Sequence, residues 1–266
     1  MRHLIFLIAL TLATKLSFAQ LIVSGEITKN IPVSKGISFI EDKEGKFTFA
    51  EIEKSKDFKP VTSDVPNFGI STSTFWLKVE IKNTTHKETY RLVVSQPSLD
   101  EIDFYQYDNK GNLKVLKGGE CLPFSSREFF DPSYIYRVRL DTLNPTTVFF
   151  RIKSRDNFQV PMYVSVAEVI FETNKVKDYI FGIFAGVMVV MLLYNTFIYI
   201  TVRDKTYLYY IIYLATVILT QVSIQGYTFQ YLWPDSPFMA QWSPFIFSPM
   251  VGVASAYFMR IFLNSA

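Results

Sequence analysis

The side chains with the greatest chemical reach in this sequence are aromatic and cationic residues at alternate positions of short apolar segments. They are Trp76 in TFWLKVEIKN, Tyr105 and Tyr107 in LDEIDFYQYD, and Arg137 and Arg139 in IYRVRLD. An aromatic face is apolar and a guanidinium donates hydrogen bonds, so such a set can stack on a sugar ring and bond its hydroxyls. These five are the candidate ligand-binding residues, for a carbohydrate or another small molecule. Trp76 admits a second reading. It shares a strand face with Lys78, Glu80 and Lys82, opposite Phe75, Leu77, Val79 and Ile81. Large aromatics are buried on average, so Trp76 is either displayed to a ligand, or covers a sheet edge or packs beneath the loop around Phe68.

Catalytic chemistry is thin. The two histidines are His3, in the leader, and His86, in the turn NTTHKE, so neither a histidine-based triad nor a zinc site can be assembled. No catalytic residue, metal ligand or cofactor is assigned. The acids of SLDEIDF, Asp100, Glu101 and Asp103, could flank a glycosidic bond as a carboxylate pair, and equally serve as surface charges on a solvated strand. A membrane-anchored glycan-active enzyme is therefore one rival reading.

The elements that must position these residues are short and bounded by turn formers: ISFI, GKFTFAEIE, TFWLKVEIKN, TYRLVVSQ, LDEIDFYQYD, IYRVRLD, TTVFFRIKS and PMYVSVAEVI. Asp108, Asn109 and Gly111 mark one hairpin turn, and Asn144 and Pro145 another. Tyr134, Tyr136, Val138 and Leu140 oppose Ile135, Arg137 and Arg139, and Val148, Phe150 and Ile152 oppose Phe149, Arg151 and Lys153, so each strand has one buried face. About eight antiparallel strands of this kind predict an all-β, jelly-roll-like sandwich over residues 20–172. Between Gln20 and Val176 there are 21 basic and 21 acidic residues, which leaves no basic footprint for nucleic acid. Cys121 is the single cysteine and has no partner for an internal disulfide.

Around this segment the chain reads as membrane-directed. Arg2 and His3 precede an apolar run, with Ser17 and Ala19 before a cleavage point at Gln20, so residues 1–19 read as a secretory signal peptide. The connector 173–178, within FETNKVKD, has no Gly or Pro and predicts a stiff junction. The membrane domain, 179–266, holds three apolar stretches, about 179–202, 207–224 and 242–263. The first has no charge over 24 residues, about 36 Å of helix. Arg203 and Lys205 lie in the first turn and the next loop has no Lys or Arg, so that turn is expected in the cytoplasm and the sandwich outside, in a multi-pass protein of the inner membrane. Tyr227, Tyr231 and Trp233 would anchor the second loop at the outer interface. Gly182 and Gly186 are spaced for close helix approach, and Asn195 could bond across helices. A transporter or channel is the second rival, although the first two stretches contain no intramembrane charge. The expected partners are the lipid bilayer and a small-molecule or carbohydrate ligand, with a homodimer left open.

Taken together, STSTFWLKVEIKN (71–83), FFRIKSRDNFQVPMYV (149–164) and LLYNTFIYITVRDKTYLYYIIYLA (192–215) resemble the bacterial seven-transmembrane receptors with diverse intracellular signalling modules. The resemblance covers residues of about 35 to 235. It implies a jelly-roll sensing domain outside the cell that binds carbohydrate or a similar small ligand, a seven-helix bundle, and a cytoplasmic output module such as a histidine kinase of a two-component system or a nucleotide cyclase. Against that plan the chain reads as a fragment, with three of seven helices and no output module.

Overall fold

The computed structural model describes residues 20–156 and 158–264. The expected signal peptide at 1–19 lies outside them. Among the described residues eleven strands form two facing sheets. The larger contains β1 (Leu21–Val23), β3 (Ile37–Asp42), β4 (Lys59–Pro60), β5 (Thr74–Asn83), β7 (Glu101–Tyr107), β8 (Leu113–Gly118) and β10 (Thr146–Lys153), in the order β4-β3-β5-β10-β7-β8. Its β1 runs parallel to β5, with Leu21 beside Ile81, a departure from the all-antiparallel expectation. The smaller sheet has the order β2 (Ile31–Pro32), β11 (Met162–Ser165), β6 (Thr89–Val94), β9 (Tyr134–Arg139).

The alternation read from the sequence sets the core. Phe75, Leu77, Val79 and Ile81 of β5 join Val148, Phe150 and Ile152 of β10 on one inner face, and meet Leu92, Val94, Tyr134, Tyr136 and Val138 of the other sheet. Each such side chain contributes roughly 1.5–3 kcal/mol of transfer free energy when fully buried, so this single cluster dominates the stability of the domain.

The segment GKFTFAEIE, expected as a strand, instead contains helix α1 (Phe49–Lys54). Thr48 and Glu51 form a reciprocal capping box: the Thr48 amide donates to Glu51 Oε2 at 2.8 Å. The Thr-x-x-Glu spacing is the local signal that outweighs the alternating pattern. Helix α1 lies on the outer face of the larger sheet, where Ile52, Phe58 and Phe149 enclose Trp76. Trp76 is 1% exposed, so its display to a ligand is corrected: it is packed, beneath α1 rather than beneath the loop around Phe68.

Helix α2 (Ala167–Val202) begins well before residue 179. The end of PMYVSVAEVI and the whole connector 173–178 belong to this one helix, about 54 Å long. That exceeds the ~30 Å hydrocarbon thickness, so its first turns stand outside the bilayer. Arg203 ends it with φ of 60°, and Asp204 caps α3 (Lys205–Ile224) by accepting from the Thr206 amide at 2.8 Å. A short helix α4 (Tyr227–Tyr231) follows, then α5 (Pro237–Asn264), which runs through Pro244 and Pro249. Helices α2, α3 and α5 are each long and apolar enough to cross a membrane. Tyr213 of α3 stacks on Phe258 of α5, and the Tyr210 ring lies tilted against the same side chain.

A Cβ at Gly182 or Gly186 would meet nothing within 4 Å, so none of the described residues packs against this face of α2. Asn195 is buried, but its amide donates at 2.7 Å to the Met191 carbonyl of its own helix and not across helices. An intrahelical carbonyl satisfies the polar group without a partner helix.

Candidate ligand cleft and membrane junction

The five predicted ligand residues separate into two places. Trp76 and Tyr105 lie under α1, where Phe49 stacks on Tyr105 at 4.7 Å between ring centroids and Trp76 is 5.5 Å from Tyr105. Tyr105 is half-buried there and its hydroxyl is shifted upward in pKa, first by desolvation. Tyr107, Arg137 and Arg139 come together in a cleft of about 500 Å³ at the open end of the sandwich.

The cleft follows from topology. β8 is an edge strand of one sheet and β9 an edge strand of the other, and the β7–β8 hairpin overhangs the gap between them. Asp108 shapes the hairpin turn by accepting from the amides of Lys110 and Asn112, both at 2.8 Å, and from Asn112 Nδ2 at 3.0 Å. These bonds hold its carboxyl below the usual range, the Asn112 side chain being the largest cause. Gln106 crosses the gap, its Nε2 donating to the Arg139 carbonyl at 2.8 Å. With its amide oxygen toward Arg139, Asn109 accepts from both terminal nitrogens at 3.0 and 3.1 Å. The floor is thus tied across the two sheets while Tyr107 stays 44% exposed. Such a volume and mixed lining suit a small polar ligand.

The acids weighed for glycoside cleavage are engaged elsewhere. Arg151 Nη1 bridges Glu101 at 2.8 Å and Asp103 at 3.4 Å, and Asp100 pairs with Arg155. His86 is exposed in a bend. Among the described residues no group of His, Cys, Asp and Glu could hold a metal ion.

From the cleft, β7 and β9 run the length of the sandwich to its other end, where the domain meets the helices in two ways. Ile170 of α2 packs with Val93 and Ile135 on the outer face of the smaller sheet, and Asn174 Nδ2 donates to Asp131 at 2.6 Å. Separately, the loop between α3 and α5 rises onto the sandwich. Phe124 and Phe229 meet edge to face at 5.4 Å, Phe130 and Tyr231 at 5.7 Å, and the Phe124 amide donates to the Pro234 carbonyl at 2.8 Å. Gly226, at φ of +80°, lets this loop pass under Pro97; a Cβ there would sit 2.9 Å from the Pro97 ring. Trp233, expected at the lipid interface, turns into the Phe124–Phe229 cluster, whereas Tyr231 remains exposed.

Arg127 is the centre of this junction. Its guanidinium lies 4.2 Å from the Tyr134 ring centroid, 4.6 Å from Phe124 and 5.6 Å from Phe229, and it donates to the carbonyls of Asp131 and Pro132 and to the Tyr134 hydroxyl. Tyr134 in turn donates to the Pro97 carbonyl at 3.0 Å. Nearby Glu120 is 7% exposed, and burial raises its carboxyl to about 8 against the opposing attraction of Arg127. Sequence reading missed this set. Its signal was two loops rich in aromatic residues and proline, CLPFSSREFFDP and GYTFQYLWPDSPF, expected on the same side of the membrane.

A family model described as 7TMR-DISM extracellular 2 matches residues 34–165, and one described as 7TM diverse intracellular signalling matches residues 177–266. No curated protein matches the chain. The first match coincides with the sandwich and the second with the three apolar helices, end to end in one chain. The chain is a membrane protein with an extracellular N-terminal domain, and it belongs to the seven-transmembrane receptors with diverse intracellular signalling modules.

Proposed function

We propose that the sandwich senses a carbohydrate ligand in the distal cleft, through Tyr107, Arg137 and Arg139, and passes the event through the membrane helices to a cytoplasmic output module. The carrying observation is the double attachment at the junction. Helix α2 leaves the sandwich and enters the membrane without a break, and the α3–α5 loop packs against the same end of the domain. A shift between the two sheets therefore changes the relative position of α2 and α3, and only a structure with two arrangements of unequal ligand affinity transmits a signal. The inner membrane of a bacterium is the proposed location.

The transporter reading has less support. Residues 179–202 carry no charge, and Lys205 lies at the start of α3, so no polar ionisable path crosses the first two helices. The test of the receptor reading replaces residues 173–178 with a Gly/Ser stretch in the receptor joined to its output module. Ligand-dependent output should fall to the unstimulated level while ligand affinity is retained. Unchanged output overturns the mechanism.

A further inference from the structure

The distal cleft holds a charge that a neutral sugar would leave unused. Lys110, Lys114, Arg137 and Arg139 line it, with Asp108 as the acid in its wall. Glu88 pairs with Arg139 at 2.5 Å and Glu128 with Arg137 at 3.7 Å from outside the lining. Even with both of those acids counted, one positive charge remains. We propose that the cleft selects a saccharide bearing a single negative charge, a sugar acid; this rests on the carbohydrate reading above.

Lys114 is the residue that points to it. It lies on the same face of β8 as Leu116, which packs against the sandwich core, and so projects toward the gap between the sheets where that gap opens. It is half-buried, and no acidic side chain among the described residues comes within 4 Å of its ammonium. A partly desolvated cation without a counter-charge favours an incoming anion more than a fully hydrated one does. Tyr107 borders the cleft from the outer face of β7, where its ring lies 6.3 Å from that of Phe49 in α1. An inward-pointing lysine on an edge strand also deters pairing with another sheet. That role alone would leave sugar affinity independent of Lys114.

The test titrates the full chain in lipid nanodiscs with aldobiouronic acids, disaccharides of one uronate and one neutral sugar, and with their carboxyl-reduced forms. The acids should bind at least tenfold more tightly than the reduced forms. Lys114→Gln should weaken the acids at least tenfold, leave the reduced forms unchanged and match the parent's melting curve, and Arg139→Gln should likewise weaken the acids at least tenfold. Equal affinity for acid and reduced form, or acid binding that survives both substitutions, overturns the charge selection and leaves the carbohydrate reading standing. Binding of neither form overturns both.

Discussion

Arg127 of the sandwich holds its guanidinium carbon 5.6 Å from the ring centroid of Phe229, a residue of the loop between two membrane helices. The same guanidinium covers Tyr134, whose strand begins at the junction with the helices and ends at Arg139 in the distal cleft. One cation thus touches both the strand that reaches the candidate ligand and the loop that joins α3 to α5.

Arg127→Gln removes the cation from three rings and three hydrogen-bonded groups. Bonds from a charged donor contribute more than neutral ones, so the loss should be about 2–3 kcal/mol of junction stability. Hydrogen exchange at residues 226–236 should accelerate at least tenfold, with the core strands β5 and β10 unaffected. Unchanged exchange in the loop would mean that the contact contributes nothing to seating it.

Trp76→Ala should destabilise the sandwich by about 3–5 kcal/mol, the range for deleting a buried large aromatic. Trp76→Phe should cost far less, because the indole Nε1 of Trp76 has no hydrogen-bond partner in its buried site. Denaturant unfolding measures both. Ligand affinity at a temperature where both variants stay folded should equal that of the parent.

Glu120 gives the junction a pH dependence of definite sign. Its ordinary value of 4.5 is raised to about 8 in the folded protein, by burial first and by Asp100 and Asp156 next, against Arg127. The folded state therefore holds a proton that the unfolded state releases between these values. This contribution to stability is full below about 4.5 and is lost as pH rises through about 8. Thermal melting should fall from pH 5 to pH 8, and Glu120→Gln should flatten that slope and stabilise the protein at pH 8 by about 1–3 kcal/mol.

Most of the fold was legible because strands with one buried face announce themselves by period-two alternation, as in Phe75 to Ile81 and Val148 to Ile152. The apolar spans were legible for the equally simple reason that a helix in lipid tolerates few charges. What escaped were features set by short local signals or by distant contacts. The Thr48–Glu51 capping box turned a predicted strand into α1, and α1 buried Trp76, whose strand face among charges gave no hint of a cover. Tyr107, Arg137 and Arg139 line one cleft, and Lys114 enters it because two edge strands end side by side, a fact of topology. The junction depended on loops about 100 residues apart in sequence, Phe130 to Gln230 among them, for which no periodicity exists.

The central claim is that the sandwich and the α3–α5 loop share the outer side of the membrane while the α2–α3 turn lies in the cytoplasm. The most direct measurement is labelling of single cysteines with a membrane-impermeant maleimide in intact cells whose outer barrier is permeabilised, in a Cys121→Ser background. Cysteine at Asp235 should label before lysis, and cysteine at Lys205 should label only after it. Labelling of the Lys205 position in intact cells, on the same side as Asp235, would contradict the account.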